Sequence, residues 1–316
     1  MHKSFKDLRI IFMGTPEFAV ASLDKLVEGG ANVVAVVTAP DKAAGRGLTI
    51  QQSAVSKYAG AKGIPILQPN KLKDPTFLEA LKSYAADVQV VVAFRMLPEI
   101  VWNMPSLGTI NLHGSLLPQY RGAAPINWAV INGEKITGVT TFKLKHEIDT
   151  GDILLQEEIK IGDEETAGDL HDRMKEIGAD LLLRTIHFIT ETNMRIIPQS
   201  ELTSSAIEIR HAPKIFTETC VIDWNRPLDE VYNFIRGLSP YPAASTTLDE
   251  KQLKIFRADK LHQSTDVAAG QMQTDKKTYL RYACTNGYID VKELQLQGKK
   301  RLGVADFLRG WRPSEM

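Results

Sequence analysis

Short apolar runs alternate with amphipathic segments over the first third of the chain. Leu8–Gly14, Asn32–Thr38 and Val88–Phe94 are nearly continuous apolar runs rich in β-branched residues. Such runs are typical of strands buried on both faces of a sheet. Between them lie segments of helical periodicity, the first with Pro16 at its start and glycines at its end. Up to Thr109–His113, the pattern predicts a doubly wound, mostly parallel, Rossmann-like α/β sheet.

The pattern changes in the second half of the chain. Two further strands are predicted on either side of residues 145–151, followed by a long amphipathic helix at Ala167–Ile189. A polar stretch with little periodicity follows, and then short β-like runs surround one helix at Pro227–Leu238. We therefore predict an α/β domain over residues 1–190, a linker over 191–208, and a small β-barrel or sandwich over 209–316.

Composition indicates an ordinary globular protein. The chain has 316 residues, 43% hydrophobic and 24% charged, and a formal net charge of zero. Any nucleic-acid binding must therefore come from local patches. From Ile209 onward, 17 Lys and Arg face 13 Asp and Glu, and Gln297–Leu302 is the most basic part. That segment is either a solvated turn or a phosphate-binding patch.

Two cysteines without paired spacing argue against a disulfide framework and fit a reducing cytosol. The apolar run near the N-terminus is too short for a signal sequence, and no run approaches the roughly 20 residues that span a bilayer. We expect a cytoplasmic protein without a membrane partner, and a monomer.

Two polar side chains end the strand Thr109–His113. Asn111 and His113 are separated by one residue, so they point to the same side of the strand. In an open parallel sheet, ligands bind beyond the carboxyl ends of the strands. An amide can donate to a developing oxyanion, and an imidazole can move a proton near neutral pH. We interpret this pair as part of an active site rather than as packed surface polarity.

A third group is needed to orient the histidine, and Asp149 and Asp152 are candidates in the next inter-strand turn. Their spacing alone equally suits an Asx turn without chemistry. Asn, His and Asp without a nucleophile favour direct acyl or formyl transfer to an amine. The scattered histidines give no metal-binding pattern. The first turn, Gly14-Thr-Pro-Glu-Phe18, lacks the glycine fingerprint of dinucleotide enzymes, which disfavours NAD chemistry.

Several motifs in order along the chain carry a resemblance. RIIFMGTPEFA, PDKAAGRG, LHGSLLPQYRGAAPI, IDTGD, LSPYPAA and LQLQGKKRLGVADFLRG together cover about Leu8 to Gly310. The chain resembles the 10-formyltetrahydrofolate-dependent formyltransferases, and AGRG with QGKKR resembles the branch that formylates initiator methionyl-tRNA for translation initiation. The resemblance implies 10-formyltetrahydrofolate as the formyl donor, no metal, and an OB-like second domain.

The resemblance also implies roles for particular residues. Asn111 and His113 would stabilise the tetrahedral oxyanion, and Asp149 would hold the histidine and help to take the amine proton. The residues implied to contact the folate are Ser115, Leu116, Leu117, Pro118, Phe94, Met96 and Leu97. The chain departs from the family pattern at Phe94-Arg95 and at His146-Glu147-Ile148, which makes His146 a competitor for the catalytic role.

A glycine-rich loop suggests how RNA would be held. Residues 39–52 are long for a βα connection and carry Lys42 and Arg46. The resemblance implies that this loop contacts the acceptor stem and that Arg46 is its functional arginine; a mobile surface loop is the alternative. Lys299, Lys300 and Arg301 would add backbone contacts with salt-dependent affinity.

Three other functions remain open. A formyltransferase acting on glycinamide ribonucleotide or an amino-sugar nucleotide would share the chemistry. The second domain argues against the glycinamide ribonucleotide enzyme, which lacks it, but not against the amino-sugar enzymes. A folate hydrolase is less favoured because no regulatory domain is evident. A folate- or nucleotide-binding sensor without turnover is disfavoured by the intact Asn111, His113 and Asp149 set.

Overall fold

The computed structural model describes residues 3–44, 49–191, 195–202 and 208–312. The chain forms two compact units, each assembled from separate stretches of sequence. The first unit consists of Met1–Gly122, Gly138–Ile159 and Asp172–His211. The second consists of Ala123–Thr137, Lys160–His171 and Ala212–Met316.

The helices and strands follow one another in this order: β1 (Arg9–Gly14), α1 (Glu17–Glu28), β2 (Asn32–Val37), β3 (Lys42–Ala44), β4 (Thr49–Gln51), α2 (Ala54–Ala61), β5 (Ile66–Leu67), α3 (Pro75–Ser83), β6 (Val88–Val92), α4 (Glu99–Trp102), β7 (Thr109–His113), β8 (Arg121–Gly122), α5 (Pro125–Ile131), β9 (Ile136–Lys143), β10 (Ile153–Lys160), α6 (Ala167–Phe188), α7 (Gln199–Leu202), β11 (His211–Ala212), α8 (Leu228–Leu238), β12 (Ala244–Leu248), β13 (Lys251–Leu261), β14 (Met272–Thr274), β15 (Leu280–Cys284), β16 (Gly287–Leu296), β17 (Leu302–Gly303) and α9 (Val304–Gly310). Short 3₁₀ turns occur at Phe5–Asp7 and Thr217–Cys220.

A seven-stranded sheet organises the first unit, in the order β10-β9-β7-β6-β1-β2-β5. The pairs β1–β2, β1–β6, β2–β5 and β6–β7 are parallel, and β7–β9 is antiparallel. The predicted doubly wound, mostly parallel sheet is therefore confirmed. The chain leaves β1 on one side for β2 and returns on the other side for β6, which creates a switch point beside β1.

The central strands are buried on both faces, as their continuous apolar character predicts. Ile11 and Met13 of β1 pack in a cluster with Phe77 of α3 and Val101 of α4. Ile10 and Phe12 alternate with them and are also fully buried. The long helix α6 packs close to β7, because a Cβ at Gly178 would lie 3.0 Å from Leu112 Cδ2.

The carboxyl ends of three neighbouring strands are aligned. Gly14 of β1 is in register with Val92 of β6, which is in register with Leu112 of β7. The turn after β1 is tight, since a Cβ on Gly14 would approach Ala19 Cβ to 2.6 Å. His113 therefore lies at one rim of the sheet, next to the switch point where such folds bind ligands.

The second unit is built on an antiparallel sheet in the order β12-β13-β16-β15-β14, with β17 paired to β16. Burial alternates along β13 and β16, and the inward side chains pack against α8 and α9. Helix α5 packs against α8 in the same unit. This curled, half-barrel sheet agrees with the predicted small β domain.

Two local expectations differ from the structure. Cys220–Trp224 is one of the short β-like runs of the second half, but it begins in the Thr217–Cys220 3₁₀ turn, and its Val221 makes an isolated bridge to Ser245. Within the predicted linker, Ile197 bridges Ile153 and is followed directly by α7. Neither feature has a local sequence signal, because both depend on contacts between residues that are distant in sequence.

Both cysteines, Cys220 and Cys284, are free and buried. Burial raises the pKa of both thiols, that of Cys284 to about 12. Both side chains act as small apolar core residues. Among the described residues, none of the helices combines the length and apolar character needed to cross a membrane.

Candidate active site

The site begins with the polar pair at the end of β7. Asn111 lies between Val91 of β6 and Phe142 of β9, and His113 lies opposite Thr140 of β9. His113 is only 7% exposed. Asn111 is half-buried, and its amide is not tied to any other side chain of the described residues. The strand therefore presents one free amide and one enclosed imidazole on the same face.

One ring nitrogen of His113 is hydrogen-bonded to the main chain. Its Nε2 lies 2.9 Å from the carbonyl oxygen of Tyr120, so this nitrogen carries the proton and donates. Tyr120 is buried and has φ +58°, a conformation unusual for a bulky residue. The Tyr120 N–H donates to the Arg210 carbonyl at 2.7 Å. The nitrogen left for chemistry is consequently Nδ1.

Asp149 faces that nitrogen. It belongs to the connection between β9 and β10, and its Oδ2 lies 3.9 Å from His113 Nδ1. This separation suits an ion pair but is too long for a direct hydrogen bond. The same Oδ2 accepts a 3.0 Å hydrogen bond from the Gly122 N–H. Asp149 has φ +53°, so the turn holds its carboxylate in a left-handed conformation that Asp tolerates.

Sequence reasoning missed two further residues beside Asp149. Gln199 is buried and donates to the carbonyl oxygens of Asp149 and Gly151. Arg121 donates to the Gln199 side-chain oxygen. Arg121 stands inside the quoted motif after β7, but Gln199 stands in a polar stretch with no local signal.

The other two candidates in this turn region face elsewhere. Asp152 pairs with Lys145 at 2.7 Å. His146 is exposed, and its Nδ1 lies 3.6 Å from Glu99 Oε2. The structure therefore brings Asp149, but neither Asp152 nor His146, to the enclosed face of His113.

The loop that follows β7 is fixed by hydrogen bonds to its main chain. Ser115 Oγ donates to the Gln119 carbonyl at 2.6 Å, and Thr140 Oγ1 donates to the Ser115 carbonyl at 2.6 Å. Leu117 is buried in a small cluster with Phe142 and Ile153. Of the expected folate contacts here, Leu117, Pro118 and Ser115 are buried and Leu116 is half-buried.

The expected folate contacts after β6 differ in how far they are exposed. Leu97 is buried in the core, whereas Met96 is 74% exposed and Phe94 is half-buried. Arg95 lies over the Phe94 ring, 5.6 Å from its centroid, and donates to the main-chain carbonyl oxygens of Pro69 and Asn70. Phe94 and Met96 therefore present apolar surface, and Leu97 supports the loop from inside.

The expected RNA contacts differ in whether their charge is already paired. Lys42, Lys299 and Lys300 are exposed. Arg301 makes two 2.6 Å hydrogen bonds to the Glu293 carboxylate and stacks 4.1 Å from the Phe256 ring centroid. Its charge is thus already paired inside its own unit. Arg46 lies outside the described residues.

Gly151 provides a test of the turn between β9 and β10 that carries Asp149. A Cβ at this position would lie 1.6 Å from the Lys143 carbonyl oxygen, a contact that needs main-chain movement to relieve. We expect Gly151→Ala to lower the free energy of unfolding by about 1–3 kcal/mol, as overpacking does. Urea denaturation of the purified variant measures this.

The control for that test is Gly60→Ala in helix α2. A Cβ at Gly60 meets nothing within 4 Å, so alanine should stabilise the helix by about 0.5–1 kcal/mol. If Gly151→Ala were as stable as the unsubstituted protein, the close approach of residues 143 and 151 would be wrong.

The arrangement offers hydrogen-bond donors, a general acid–base group and a carboxylate at one sheet rim. Within the described ranges, no group of three His, Cys, Asp or Glu side chains could hold a metal ion. Its chemistry suits attack of an amine on a carbonyl carbon, in which the oxygen becomes negative and the nitrogen loses a proton.

Comparison with known families agrees with that chemistry. Residues 8–186 match the family described as Formyl transferase, and residues 214–312 match Formyl transferase, C-terminal domain. The chain belongs to the formyl transferase family, an enzyme family whose reaction is the transfer of a formyl group from formyl-tetrahydrofolate.

Full-length relatives narrow this class. The chain is 55% identical over 315 residues to a methionyl-tRNA formyltransferase of Bacteroides fragilis, covering 98% of this chain and 97% of the relative. It is 56% identical to that of Phocaeicola vulgatus, with 98% of each chain covered. Within the family, the chain belongs with the methionyl-tRNA formyltransferases.

A solved structure supports the fold independently. An N-formyltransferase from Helicobacter canadensis, in complex with folinic acid and dTDP-3-aminofucose, matches with a TM-score of 0.67 and 18% identity. The match covers 93% of this chain and 100% of that one.

Proposed function

We propose that this protein transfers the formyl group of 10-formyltetrahydrofolate to the α-amino group of methionine on initiator methionyl-tRNA, with Asn111, His113 and Asp149 as its catalytic residues. The observation that carries the proposal is that Asn111 and His113 share one face at the end of β7 and that Asp149 faces the His113 ring. His113 Nδ1 lies 3.9 Å from Asp149 Oδ2, and the Asn111 amide has no side-chain partner among the described residues.

The proposed mechanism is direct attack. The amine nitrogen bonds to the formyl carbon, and the bond from that carbon to N10 of the folate breaks. Asn111 donates to the formyl oxygen and stabilises the negative charge that develops there. His113, supported by Asp149, accepts the one proton released by the amine and passes it to N10 of the folate as that nitrogen departs.

The residues of the two rim loops fit the donor. Phe94, which is half-buried, and Met96, which is exposed, offer apolar surface for a flat ring. Leu116 and the hydrogen-bonded main chain of residues 115–118 offer a rigid edge. We assign Ser115, Leu117, Pro118 and Leu97 the role of shaping this surface from beneath, because all four are buried.

We propose that the loop carrying Lys42 and Arg46 holds the acceptor stem, and that Lys299, Lys300 and Arg301 add phosphate contacts. Lys42, Lys299 and Lys300 are exposed and available to phosphate. Arg301 must exchange its Glu293 partner for phosphate, so we expect its contribution to be the smallest of the five.

Arg46→Ala should weaken use of the tRNA far more than it weakens folate binding. We expect KM for methionyl-tRNA to rise about tenfold or more, since a contact to RNA of this kind is worth about 1–3 kcal/mol. KM for the formyl donor should stay within about twofold. Initial rates with each substrate varied in turn give both constants.

The matched control is Lys276→Ala, a basic residue on an exposed turn of the second unit with φ +63°. It should leave both constants within about twofold. Equal loss of tRNA and folate affinity in Arg46→Ala would contradict the assignment of this arginine to the RNA.

A transfer assay tests the proposed function as a whole. The purified protein is mixed with 10-formyltetrahydrofolate and, separately, with methionine-charged initiator tRNA, glycinamide ribonucleotide or an amino-sugar nucleotide, at moderate salt. Formyl-methionine on the tRNA alone supports the proposal. Transfer to a small amine alone would keep the catalytic residues and overturn the assigned substrate, and binding without turnover would favour a sensor.

We further propose that the catalytic residues lie within residues 1–190 and the tRNA-binding surface of the second unit within 209–316, with 191–208 connecting the two stretches, and that the protein acts in the cytoplasm as a monomer. The two buried free thiols support a reducing compartment. Size-exclusion chromatography with light scattering tests the oligomeric state.

A further inference from the structure

A single buried amide connects the catalytic turn to the loop after β7. Gln199, the first residue of α7, is 3% exposed. Its Nε2 donates to the Asp149 carbonyl at 2.9 Å and to the Gly151 carbonyl at 2.8 Å. Its Oε1 accepts from Arg121 Nε at 3.1 Å and Nη2 at 2.6 Å. Both amide hydrogens and both oxygen lone pairs are therefore used.

These partners fix the orientation of the amide. If the group were rotated by 180°, its oxygen would face two carbonyl oxygens and its N–H groups would face a guanidinium. Both contacts would be repulsive, so one orientation is strongly favoured. A buried amide whose groups are all satisfied is rigid, and removal of one partner leaves the others unpaired at a cost of about 1–3 kcal/mol each.

The contacts close a ring around the Asp149 carboxylate. Gly122 donates its N–H to Asp149 Oδ2 at 3.0 Å, and the preceding residue is Arg121. Arg121 holds Gln199, and Gln199 holds the Asp149 main chain. Two adjacent residues of the short strand β8 therefore hold Asp149. Gly122 binds its carboxylate directly, and Arg121 acts on its main-chain carbonyl through Gln199.

The chain brings Gln199 into place by a separate contact. Ile197 and Ile153 exchange two hydrogen bonds, of 2.8 and 3.0 Å, at the beginning of β10. Ile153 lies two residues after Gly151, so the bridge brings Gln199, two residues after Ile197, close to the turn that carries Asp149. The left-handed conformation of Asp149, with φ +53°, is therefore stabilised by a residue that is distant in sequence.

We propose that Gln199 is a positioning residue for formyl transfer, which sets the Asp149 carboxylate against His113 through the ring of Arg121, Gly122 and Asp149. This inference rests on the proposed function, because it assumes that Asp149 acts in catalysis. Gln199 touches neither the substrate nor the reacting atoms in this scheme. Its effect on the reaction passes through Asp149.

The experiment uses the full-length protein and single-turnover formylation of methionyl-tRNA with enzyme in excess. Gln199→Leu should lower the transfer rate about 10–100-fold, the scale expected when a catalytic group is misplaced by about 1 Å. KM values for the tRNA and the folate, measured at steady state, should change by less than about threefold. A rise in KM with an unchanged rate would overturn the proposal.

A double-mutant cycle separates positioning from general damage. In an Asp149→Asn background, Gln199→Leu should cost less than about twofold more, since the carboxylate that it positions is already gone. If the rate loss of the double variant equalled the product of the two single losses, the proposal would be overturned. If Asp149→Asn were as active as the unsubstituted protein, the proposed role of Asp149 would fail first and this inference with it.

Two further variants guard against misinterpretation. Gln199→Glu keeps the shape and the acceptor for Arg121 but removes both donors to the carbonyl oxygens, so it should reproduce the rate loss even if the leucine variant folds poorly. Gln119→Leu removes two other hydrogen bonds to the same polar segment, at the Glu208 carbonyl and the Arg210 N–H. A loss in Gln119→Leu equal to that in Gln199→Leu would assign the effect to the segment rather than to Asp149.

Discussion

Replacement of His113 by alanine is expected to lower kcat by about 10²–10⁴-fold, the usual range for loss of a general acid–base group. Nε2 of this ring is held by the Tyr120 carbonyl at 2.9 Å, and Nδ1 is the nitrogen that faces Asp149. Steady-state formylation of methionyl-tRNA gives kcat, and equilibrium titration with the folate gives its affinity.

His146→Ala is the matched control for this substitution. His146 is exposed and its nearest charged partner is Glu99, so its loss should change kcat by less than about twofold. Folate affinity should persist in both variants. An equal loss in His146→Ala would move the catalytic role to that residue, and loss of folate binding alone in His113→Ala would reduce His113 to a binding residue.

Replacement of Asn111 by alanine is expected to lower kcat by about 10²–10³-fold, the range for one lost oxyanion donor. Asn111 lies on the same face of β7 as His113, and its amide makes no side-chain hydrogen bond within the described part of the chain. A donor held on a strand between β6 and β9 needs little reorganisation as charge develops on the formyl oxygen.

Asn111→Asp provides the sharper comparison. It keeps the size of the side chain, removes the N–H donor, and places a carboxylate near the developing negative charge. Its kcat should therefore fall at least as far as that of the alanine variant, with circular dichroism unchanged. A loss below tenfold in both variants would argue that Asn111 does not stabilise the oxyanion.

Most of the first unit could be predicted from the sequence because its signals are local. The buried strands β1 and β6 are almost continuously apolar, and α1 has Pro16 before it and Gly29 after it. The bounds of α6 agree with the predicted amphipathic helix to within one residue at its end. The periodicity of apolar residues and the proline and glycine residues at element ends determine such elements without knowledge of distant contacts.

The candidate site was partly accessible for the same reason. Asn111 and His113 share a strand, and their spacing alone places them on one face. The choice of Asp149 over Asp152 was supplied by the family resemblance, and the structure gives a physical basis for it in the Lys145 partner of Asp152. Gln199 was inaccessible because its four hydrogen bonds connect residues about 50 and 78 positions away.

The sequence also could not show which basic side chains are free to bind a ligand. Lys299, Lys300 and Arg301 form one basic run, yet Arg301 is bound to Glu293 and covers Phe256. Whether a cation is free for a ligand depends on which carboxylate the fold brings beside it. A count of basic residues in a segment therefore overestimates the charge that RNA can use.

The second unit is not encoded by a single stretch of chain, and this limits how such proteins can be recombined. Asn127 of α5 donates to the Gly237 carbonyl at 2.7 Å, and Arg236 donates to the Glu165 carbonyl at 2.9 Å. A crossover at residue 190 between two relatives would join α8 from one parent to α5 and residues 160–171 from the other. It would also separate Gln199 from the turn it supports. Exchange of the second unit by one cut is therefore disfavoured, and we expect these segments to be inherited together.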